Sequence, residues 1–275
     1  MKAAEQVQKK VLGIKVGPAV VAGAFAAVLA IGVATASPAY GANKRADAEI
    51  QTSVDKALAP KRFNDVKSNV HDGVVTLTGT VALYSAKEDA DRRVHHQGGV
   101  AAVRNMIEVV SDNKITDAEL RDKLAEKLAY DRVGYGTTAF NSFTIGVQNG
   151  VVVLGGVAYG PTDKDSAISL VSNYPGVKDV VDNIEVAPLS PNDDRIRLSV
   201  ARQVYGFPSL NKYAIDPAKP IRITVVNGNV TLTGVVNNQA DKDAAGIQAN
   251  SVSGVFKVTN LLQVAGEEPK NEEPK

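Results

Sequence analysis

The chain contains one β-hairpin sequence three times, and this repetition limits the folds that it can adopt. Each copy carries Asp-Gly or Asn-Gly, a strong short-range hairpin signal because both residues tolerate positive φ. The copies lie about 77 residues apart. A regular recurrence of this kind indicates tandem copies of one small unit rather than one large core. The repeated stretches are HDGVVTLTGTV at 71–81, QNGVVVLGGVA at 148–158 and VNGNVTLTGVV at 226–236.

A second motif closes each copy at a constant distance from the hairpin. The turn glycine of the hairpin precedes the glycine of the second motif by 26 residues in all three copies. Because loops change length readily, this constant spacing indicates a packed element between the two motifs. An asparagine lies at or next to the same place in each copy, at Asn105, Asn183 and Asn260; the second copy reads Asp182-Asn183, so its alignment can shift by one residue. The closing stretches are GGVAAVRNMIEV at 98–109, PGVKDVVDNIEV at 175–186 and SGVFKVTNLLQV at 253–264.

Hydrophobic periodicity predicts the elements of each copy. Apolar residues alternate along the hairpin, as at Ile221 and Ile223, which is typical of strands with one covered face. The first copy departs from this pattern, because Ser68 takes an inward position. Helical spacing precedes each hairpin, as at Leu120 and Leu124, and a second helical stripe fills the constant gap. The sequence therefore predicts an α+β fold of three tandem αββαβ units, each a small three-stranded mixed sheet covered on one face by two helices. The predicted units span 44–111, 114–187 and 192–265.

The element order and the two motifs resemble the BON domain, a family named after bacterial osmotically inducible periplasmic and nodulation proteins. The resemblance rests on the Asn/Asp-Gly-x-Val-x-Leu-x-Gly hairpin and on the Gly-Val-x-x-Val-x-Asn-x-(Ile/Leu)-x-Val ending. It covers about residues 44–265, with three copies in register. It implies an exported, non-enzymatic module that binds phospholipid membranes or another component of the cell envelope.

Residues 1–42 have the pattern of an export signal. Four lysines precede an apolar run at 16–34, and small residues follow at 34–36 and 39–41. This order is typical of a secretory signal peptide, although the length of the run leaves an uncleaved inner-membrane anchor open. We therefore expect a periplasmic protein, either free or anchored by residues 16–34. Residues 266–275 repeat EEPK and are expected to form a disordered acidic tail.

Composition excludes several functional classes. Lys and Arg total 31 against 30 Asp and Glu, so the basic surface that is typical of nucleic-acid binding is not expected. The chain has no Cys, which excludes disulfides and zinc–thiolate sites. The three histidines are His71, His95 and His96; the adjacent pair would point about 100° apart on a helix, which does not suit a shared metal. We predict a protein without a cofactor and without enzymatic activity.

Aromatic residues are concentrated in two segments between the first helix and the hairpin, at 130–143 and 205–213, where they are mixed with one cation each, Arg132 and Lys212. Rings beside cations are suited to a bilayer interface, but the same rings can instead fold back and complete a small core. Phe143 is expected in the core because it has the inward strand register. The candidate lipid-interface residues are Tyr130, Arg132, Tyr135, Phe140, Tyr205, Phe207, Lys212 and Tyr213.

The repeated glycines of the hairpins are interpreted as structural positions. A glycine in the turn permits positive φ, and a glycine late in a strand marks a bend or a close approach of another element. These glycines are Gly73, Gly79, Gly150, Gly156, Gly228 and Gly234.

These features predict a protein of the cell envelope that binds phospholipid and supports the cell under osmotic or envelope stress. Weak contacts from several units would add through avidity. The alternative is an interaction scaffold that binds another envelope protein or a glycan. Without residues 1–39 the chain has 27 basic and 29 acidic side chains, which favours the alternative slightly because binders of anionic lipid usually carry basic patches. The sequence leaves the ligand and the oligomeric state open.

Overall fold

A computed structural model describes residues 46–111, 115–130, 138–188, 190–216 and 219–266. The described residues fall into two compact units, one within 46–81 and 86–108 and the other within 82–85 and 109–266. The predicted signal segment 1–42, with its apolar run, and the tail beyond residue 266 lie outside the described residues. Within the described ranges, no helix has the length and apolar character needed to cross a bilayer.

The first copy contains the predicted mixed sheet. Strands β1 and β2 form the antiparallel hairpin, and β3 and β4 both pair with β2, with β3 running parallel to it. Ser68 points toward the first helix, where its hydroxyl accepts a hydrogen bond from Gln51 and donates one to Asp55. Two hydrogen bonds thus satisfy a polar group at an inward position. The elements are α1 (Asp47–Ala57), a 3₁₀ turn (Lys61–Phe63), β1 (Val66–His71), β2 (Val74–Val81), α2 (Tyr84–His95), β3 (Ala102–Asn105) and β4 (Glu108–Val109).

The second copy has the same order with an unbroken last strand. Its sheet runs β5-β6-β7, with β5 antiparallel and β7 parallel to the central β6. Its core is formed by the predicted stripe Leu120, Leu124 and Leu128 against the inward side of the sheet. Phe143 packs against this core, as its register predicts. The elements are α3 (Asp117–Tyr130), a 3₁₀ turn (Thr138–Phe140), β5 (Ser142–Gln148), β6 (Val151–Ala158), α4 (Pro161–Ser172) and β7 (Asp179–Val186).

The third copy shares a compact unit with the second. Its main sheet has the order β11-β9-β8, and β10 and β12 form a short parallel pair beside it. Pro191 begins the first helix, and the Ser190 hydroxyl caps it by accepting from Asp193 N. The fold class predicted from the sequence is therefore confirmed. The elements are α5 (Pro191–Gly206), a 3₁₀ turn (Asn211–Ala214), β8 (Arg222–Val226), β9 (Asn229–Thr233), β10 (Val235–Val236), α6 (Gln239–Asn250), β11 (Lys257–Asn260) and β12 (Gln263–Val264).

The strand register fixes the position of the repeated asparagine. Leu77 pairs with Asn105 and Leu232 with Asn260, whereas Leu154 pairs with Asp182. Asp182 thus takes the place of the asparagine, and Asn183 lies one residue beyond it. The two asparagine amides donate to backbone carbonyls in the second helix of their copies, at 3.1 and 2.7 Å. The carboxylate of Asp182 instead forms an ion pair with Lys164 at 2.7 Å.

Candidate functional site

Each copy fastens its hairpin to its first helix through one aspartate. The two residues of the hairpin turn have positive φ in all three copies, so their N–H groups point away from the strand ladder. A carboxylate in the first turn of the helix accepts from both of them. The hydrogen bonds run from Asp72 N and Gly73 N to Asp47 (2.8 and 2.9 Å), from Asn149 N and Gly150 N to Asp117 (2.6 and 3.0 Å), and from Asn227 N and Gly228 N to Asp193 (2.9 and 2.8 Å).

We call Asp47, Asp117 and Asp193 the clamp aspartates. Their contacts with the hairpin turns were not predicted from the sequence. The available signal was an Asp in the first turn of all three predicted helices, which is also what helix capping alone would produce. Asp193 is 1% exposed, so its carboxylate relies on the hydrogen bonds from Asn227 N and Gly228 N in place of water. These contacts have a structural role. Because the same contact occurs in each copy, the clamp aspartates also give a residue-by-residue sequence alignment of the first helix of each copy.

The glycines late in the second strand have close backbone neighbours. A Cβ on Gly79 would lie 1.9 Å from the carbonyl oxygen of Asp65, the residue before β1. A Cβ on Gly156 would lie 1.9 Å from the carbonyl oxygen of Ser142, the first residue of β5. Both glycines have positive φ. At Gly234 the corresponding distance, to the Pro220 carbonyl, is 2.6 Å. These positions exclude a side chain for steric reasons and are part of the fold rather than of a binding site.

The aromatic segment of the second copy lies partly against the third copy. Phe140 packs against the core of the third copy, and its ring centroid is 5.7 Å from that of Tyr159. The buried guanidinium of Arg197 lies 4.7 Å from the Tyr159 ring and 5.9 Å from the Phe140 ring. Tyr130 is 48% exposed, and its hydroxyl is 3.2 Å from the carboxylate of Asp216. That carboxylate raises the pKa of Tyr130. Arg132 and Tyr135 lie outside the described residues.

Two tyrosines of the third segment belong to the core. Tyr213 is 5% exposed; its hydroxyl donates to Asp241 at 2.7 Å and accepts from Asn237 N at 2.7 Å. Tyr205 is half-buried and donates its hydroxyl to the Ile221 carbonyl. Burial raises the pKa of Tyr205 above the ordinary tyrosine value. Both rings therefore pack with the core of the third copy.

The other two candidates of this segment lie at the surface. Phe207 follows the end of α5 and is 37% exposed. Lys212 forms an ion pair with Asp241 at 2.7 Å and lies beside the Tyr213 ring. The hydrogen bond to Asp241 raises the pKa of Lys212. Of the two, Phe207 is the side chain that presents apolar surface to solvent.

Helix α5 presents an apolar and basic surface that was not predicted from the sequence. Leu198, which is 51% exposed, and Arg202 are one helical turn apart on α5, and Phe207 follows the end of the same helix. A shallow depression lies on this side of the helix, and we call its lining residues the α5 face: Leu198, Ala201, Arg202, Tyr205 and Gly206. The first helices of the three copies can be aligned on their clamp aspartates. In this alignment, Leu198 and Arg202 correspond to Asp122 and Glu126 of the second copy. In the first copy they correspond to Thr52 and Lys56.

A second concavity opens beside helix α3 in the second copy. It is a partly open cleft of about 190 Å³ between α3 and the edge strand β5, and Arg222 from the third copy lies at its wall. Most of its lining is apolar, with Arg121 and Asn141 as the other polar contributors. The lining residues are Arg121, Ala125, Leu128, Ala129, Asn141, Phe143, Ile145 and Arg222.

Metal-binding clusters are absent from the described part of the chain. No group of three or more His, Asp or Glu side chains in those ranges is arranged to hold an ion. His71, His95 and His96 are all exposed. The α5 face and the cleft beside α3 both offer guanidinium groups and apolar side chains, which suit binding of an anion or an amphiphile.

The fold and these surfaces define a class of small αββαβ domains arranged in tandem. The BON domain model matches residues 46–111, 116–188 and 208–266. Because these matches span more than half of the chain, the protein belongs to the BON domain family, in three copies. The third match begins after α5, although α5 and its clamp Asp193 complete the third copy in the same way as the first helices of the other two. Membership of this family indicates a periplasmic or envelope-associated protein of a typically non-enzymatic kind.

The chain is also similar to individual proteins. It is 26% identical over 142 residues to an "Uncharacterized protein in gshII 5'region" of Anaplasma centrale, covering 51% of this chain and 94% of that protein. Among solved structures, the C-terminal domain of CdsD, a type III secretion protein of Chlamydia trachomatis, is 14% identical over 78% of this chain and 96% of its own, with a TM-score of 0.21. The periplasmic domain of PrgH from S. typhimurium is 10% identical over 78% of this chain and 98% of its own, with a TM-score of 0.17. At these TM-scores the two structures carry no argument about this chain.

Proposed function

We propose that this protein is a non-catalytic envelope protein that binds the surface of phospholipid membranes through the α5 face of its third copy, and that it supports the envelope under osmotic stress. The observation that carries the proposal is the exposed Leu198, 51% accessible, one helical turn from Arg202, together with the exposed Phe207 directly after the end of the helix. Apolar and aromatic side chains at a helix surface can enter the headgroup region while a nearby guanidinium meets lipid phosphate.

The difference between the copies supports a specialised third copy rather than equal contacts from all three. In α3 the aligned positions are Asp122 and Glu126, and carboxylates there would be repelled by anionic headgroups. In α1 they are Thr52 and Lys56, which offer little apolar surface. Avidity between identical units is therefore a weaker explanation than we expected from the repeats.

The test is co-sedimentation of residues 43–275 with zwitterionic vesicles and with vesicles that contain anionic phospholipid, at low and high salt. This segment includes every described helix and strand. We expect binding to anionic vesicles that weakens with salt. Leu198→Asp and Phe207→Ala should each reduce the bound fraction at least about threefold, because each removes apolar surface from the interface.

Ile247→Asp is the matched control, since Ile247 is an exposed apolar residue of helix α6, 67% accessible. It should bind vesicles as the unmodified protein does. Equal losses for Ile247→Asp and Leu198→Asp would contradict a specific role of the α5 face. Absence of binding to either vesicle type would remove the lipid proposal and favour the alternative, a scaffold that binds an envelope protein or a glycan.

A further inference from the structure

The cleft beside α3 exists because the second copy has a small residue where the third has a large one. Aligned on the clamp aspartates, Ala129 corresponds to Tyr205. In the third copy the Tyr205 ring packs against the core and its hydroxyl reaches the Ile221 carbonyl. Ala129 leaves the corresponding space open between α3 and β5, and the core edge formed by Phe143 and Ile145 lines it.

The charged wall of the cleft is supplied by the neighbouring copy. The side chain of Ser142, at the start of β5, is hydrogen-bonded to that of Thr233 at 3.0 Å. Thr233 pairs with Arg222 across the hairpin of the third copy. This contact between the edges of the second and third copies holds Arg222 beside the cleft, so the site is complete only where the two copies meet.

Arg222 has no anionic partner among the residues that the structure describes. It is half-buried, and its guanidinium makes no side-chain hydrogen bond or ion pair with any of them. Burial lowers the pKa of Arg222, although an arginine still keeps its proton at any physiological pH. A desolvated guanidinium without a carboxylate is unfavourable, and an anion that enters the cleft would relieve this cost.

We propose that this cleft binds the carboxylate end of a fatty acid, with the head on Arg222 and the first part of the alkyl chain against Leu128, Phe143 and Ile145. A planar carboxylate matches the two parallel N–H donors of a guanidinium. Arg121, at the rim, is already engaged with Asp122 at 2.7 Å. An apolar cavity of roughly 150 Å³ accommodates benzene, so a cleft of about 190 Å³ holds the head and a short alkyl segment, and the rest of the chain extends outside.

The test is titration calorimetry of residues 43–275 with decanoate below its critical micelle concentration, with acetate and decanol as probes that lack the tail or the charge. Decanoate should bind at least about tenfold more tightly than either, since it alone satisfies both parts of the site. Amide chemical shifts along α3 and β5 should move during the titration. No vesicles are present, so the result is independent of the membrane-binding proposal and of the α5 face.

Two variants and one control assign the binding to the cleft. Arg222→Gln should weaken decanoate at least about tenfold by removing the charged partner, and Ala129→Tyr should abolish binding by filling the space as Tyr205 does in the third copy. If Ala129→Tyr does not fold, Ala125→Leu tests the same point from an exposed lining position. Arg104→Gln, an exposed arginine of the first copy, should leave the affinity unchanged. Equal affinity of decanol and decanoate, or unchanged affinity in Arg222→Gln, would overturn the proposal, as would a lack of decanoate binding.

Discussion

The carboxylate of Asp193 accepts a hydrogen bond from the backbone N–H of Gly228 at 2.8 Å, across 35 residues of sequence. The same carboxylate accepts from Asn227 N at 2.9 Å. The contact joins the first turn of helix α5 to the tip of the hairpin, and equivalent contacts are made by Asp47 and Asp117. One side chain thus sets where the hairpin lies along the helix in each copy.

Replacement of Asp193 by Asn should destabilise the protein. An amide has one acceptor oxygen where the carboxylate has two, so a turn N–H would lose its charge-assisted partner in a buried position. We expect a loss of about 2 kcal/mol in the free energy of unfolding, measured by urea denaturation. Asp165→Asn, at an exposed site on α4, should change it by less than about 0.5 kcal/mol. Similar values for the two variants would show that the clamp contributes little.

Replacement of Gly156 by Ala should be more damaging than an ordinary glycine substitution. The new Cβ would lie 1.9 Å from the Ser142 carbonyl oxygen at a φ of +90°, so strand β5 would have to move. We expect at least about 2 kcal/mol of destabilisation by thermal or urea unfolding. A methyl group at Gly206 would meet none of the described residues within 4 Å, and Gly206→Ala should stay within about 1 kcal/mol of the unmodified protein. A mild effect at Gly156 would contradict the steric account.

Asp241 should make stability dependent on pH in the acidic range. Burial on its own raises the pKa of this carboxyl, but the hydrogen bonds from Lys212 and Tyr213 outweigh burial and hold the pKa below its ordinary value. A carboxyl with a depressed pKa in the folded state contributes stability above the unfolded value, about 3.9, and this contribution is lost as the pH falls through the folded value. Urea unfolding from pH 7 to about pH 2.5 would follow the change.

The matched comparison for this pH effect is Asp241→Asn. This variant should be less stable than the unmodified protein at neutral pH, and the difference should shrink as the pH falls below about 4. Tyr213→Phe should also reduce stability at neutral pH, because it removes the hydroxyl that bonds to both Asp241 and Asn237 N. A difference between Asp241→Asn and the unmodified protein that stays constant with pH would refute the assignment.

Replacement of Arg197 by Lys should weaken the junction between the second and third copies. The guanidinium is 2% exposed, donates to the Val225 carbonyl at 3.0 Å and lies over the Tyr159 ring. A lysine loses the planar fork and leaves the carbonyl without its donor, so we expect a loss of about 2 kcal/mol in unfolding free energy. Faster hydrogen exchange near Tyr159 would locate the effect at the junction. Arg195→Lys, on the exposed side of the same helix, should change neither quantity.

Much of the fold could be predicted because its signals are local. The Asn-Gly and Asp-Gly turns require positive φ, and the structure has it at Asp72, Asn149 and Asn227. The stripe Leu120, Leu124 and Leu128 has the spacing of one helical face, and these residues form the core of the second copy. The site was less predictable, because whether Tyr213 or Phe207 reaches solvent depends on which residues of distant segments surround each ring.

Local signals were enough to establish the number of copies, the order of their elements and their inward faces, since turn chemistry and hydrophobic period act over a few residues. The polar contacts across long separations became visible only in the folded chain. Asp193 reaches Gly228, Arg197 reaches Tyr159, and Arg222 closes a cleft of another copy. Such pairings depend on how packed elements are positioned in space. The residues around a single carboxylate or guanidinium in the sequence do not indicate which distant group it will contact.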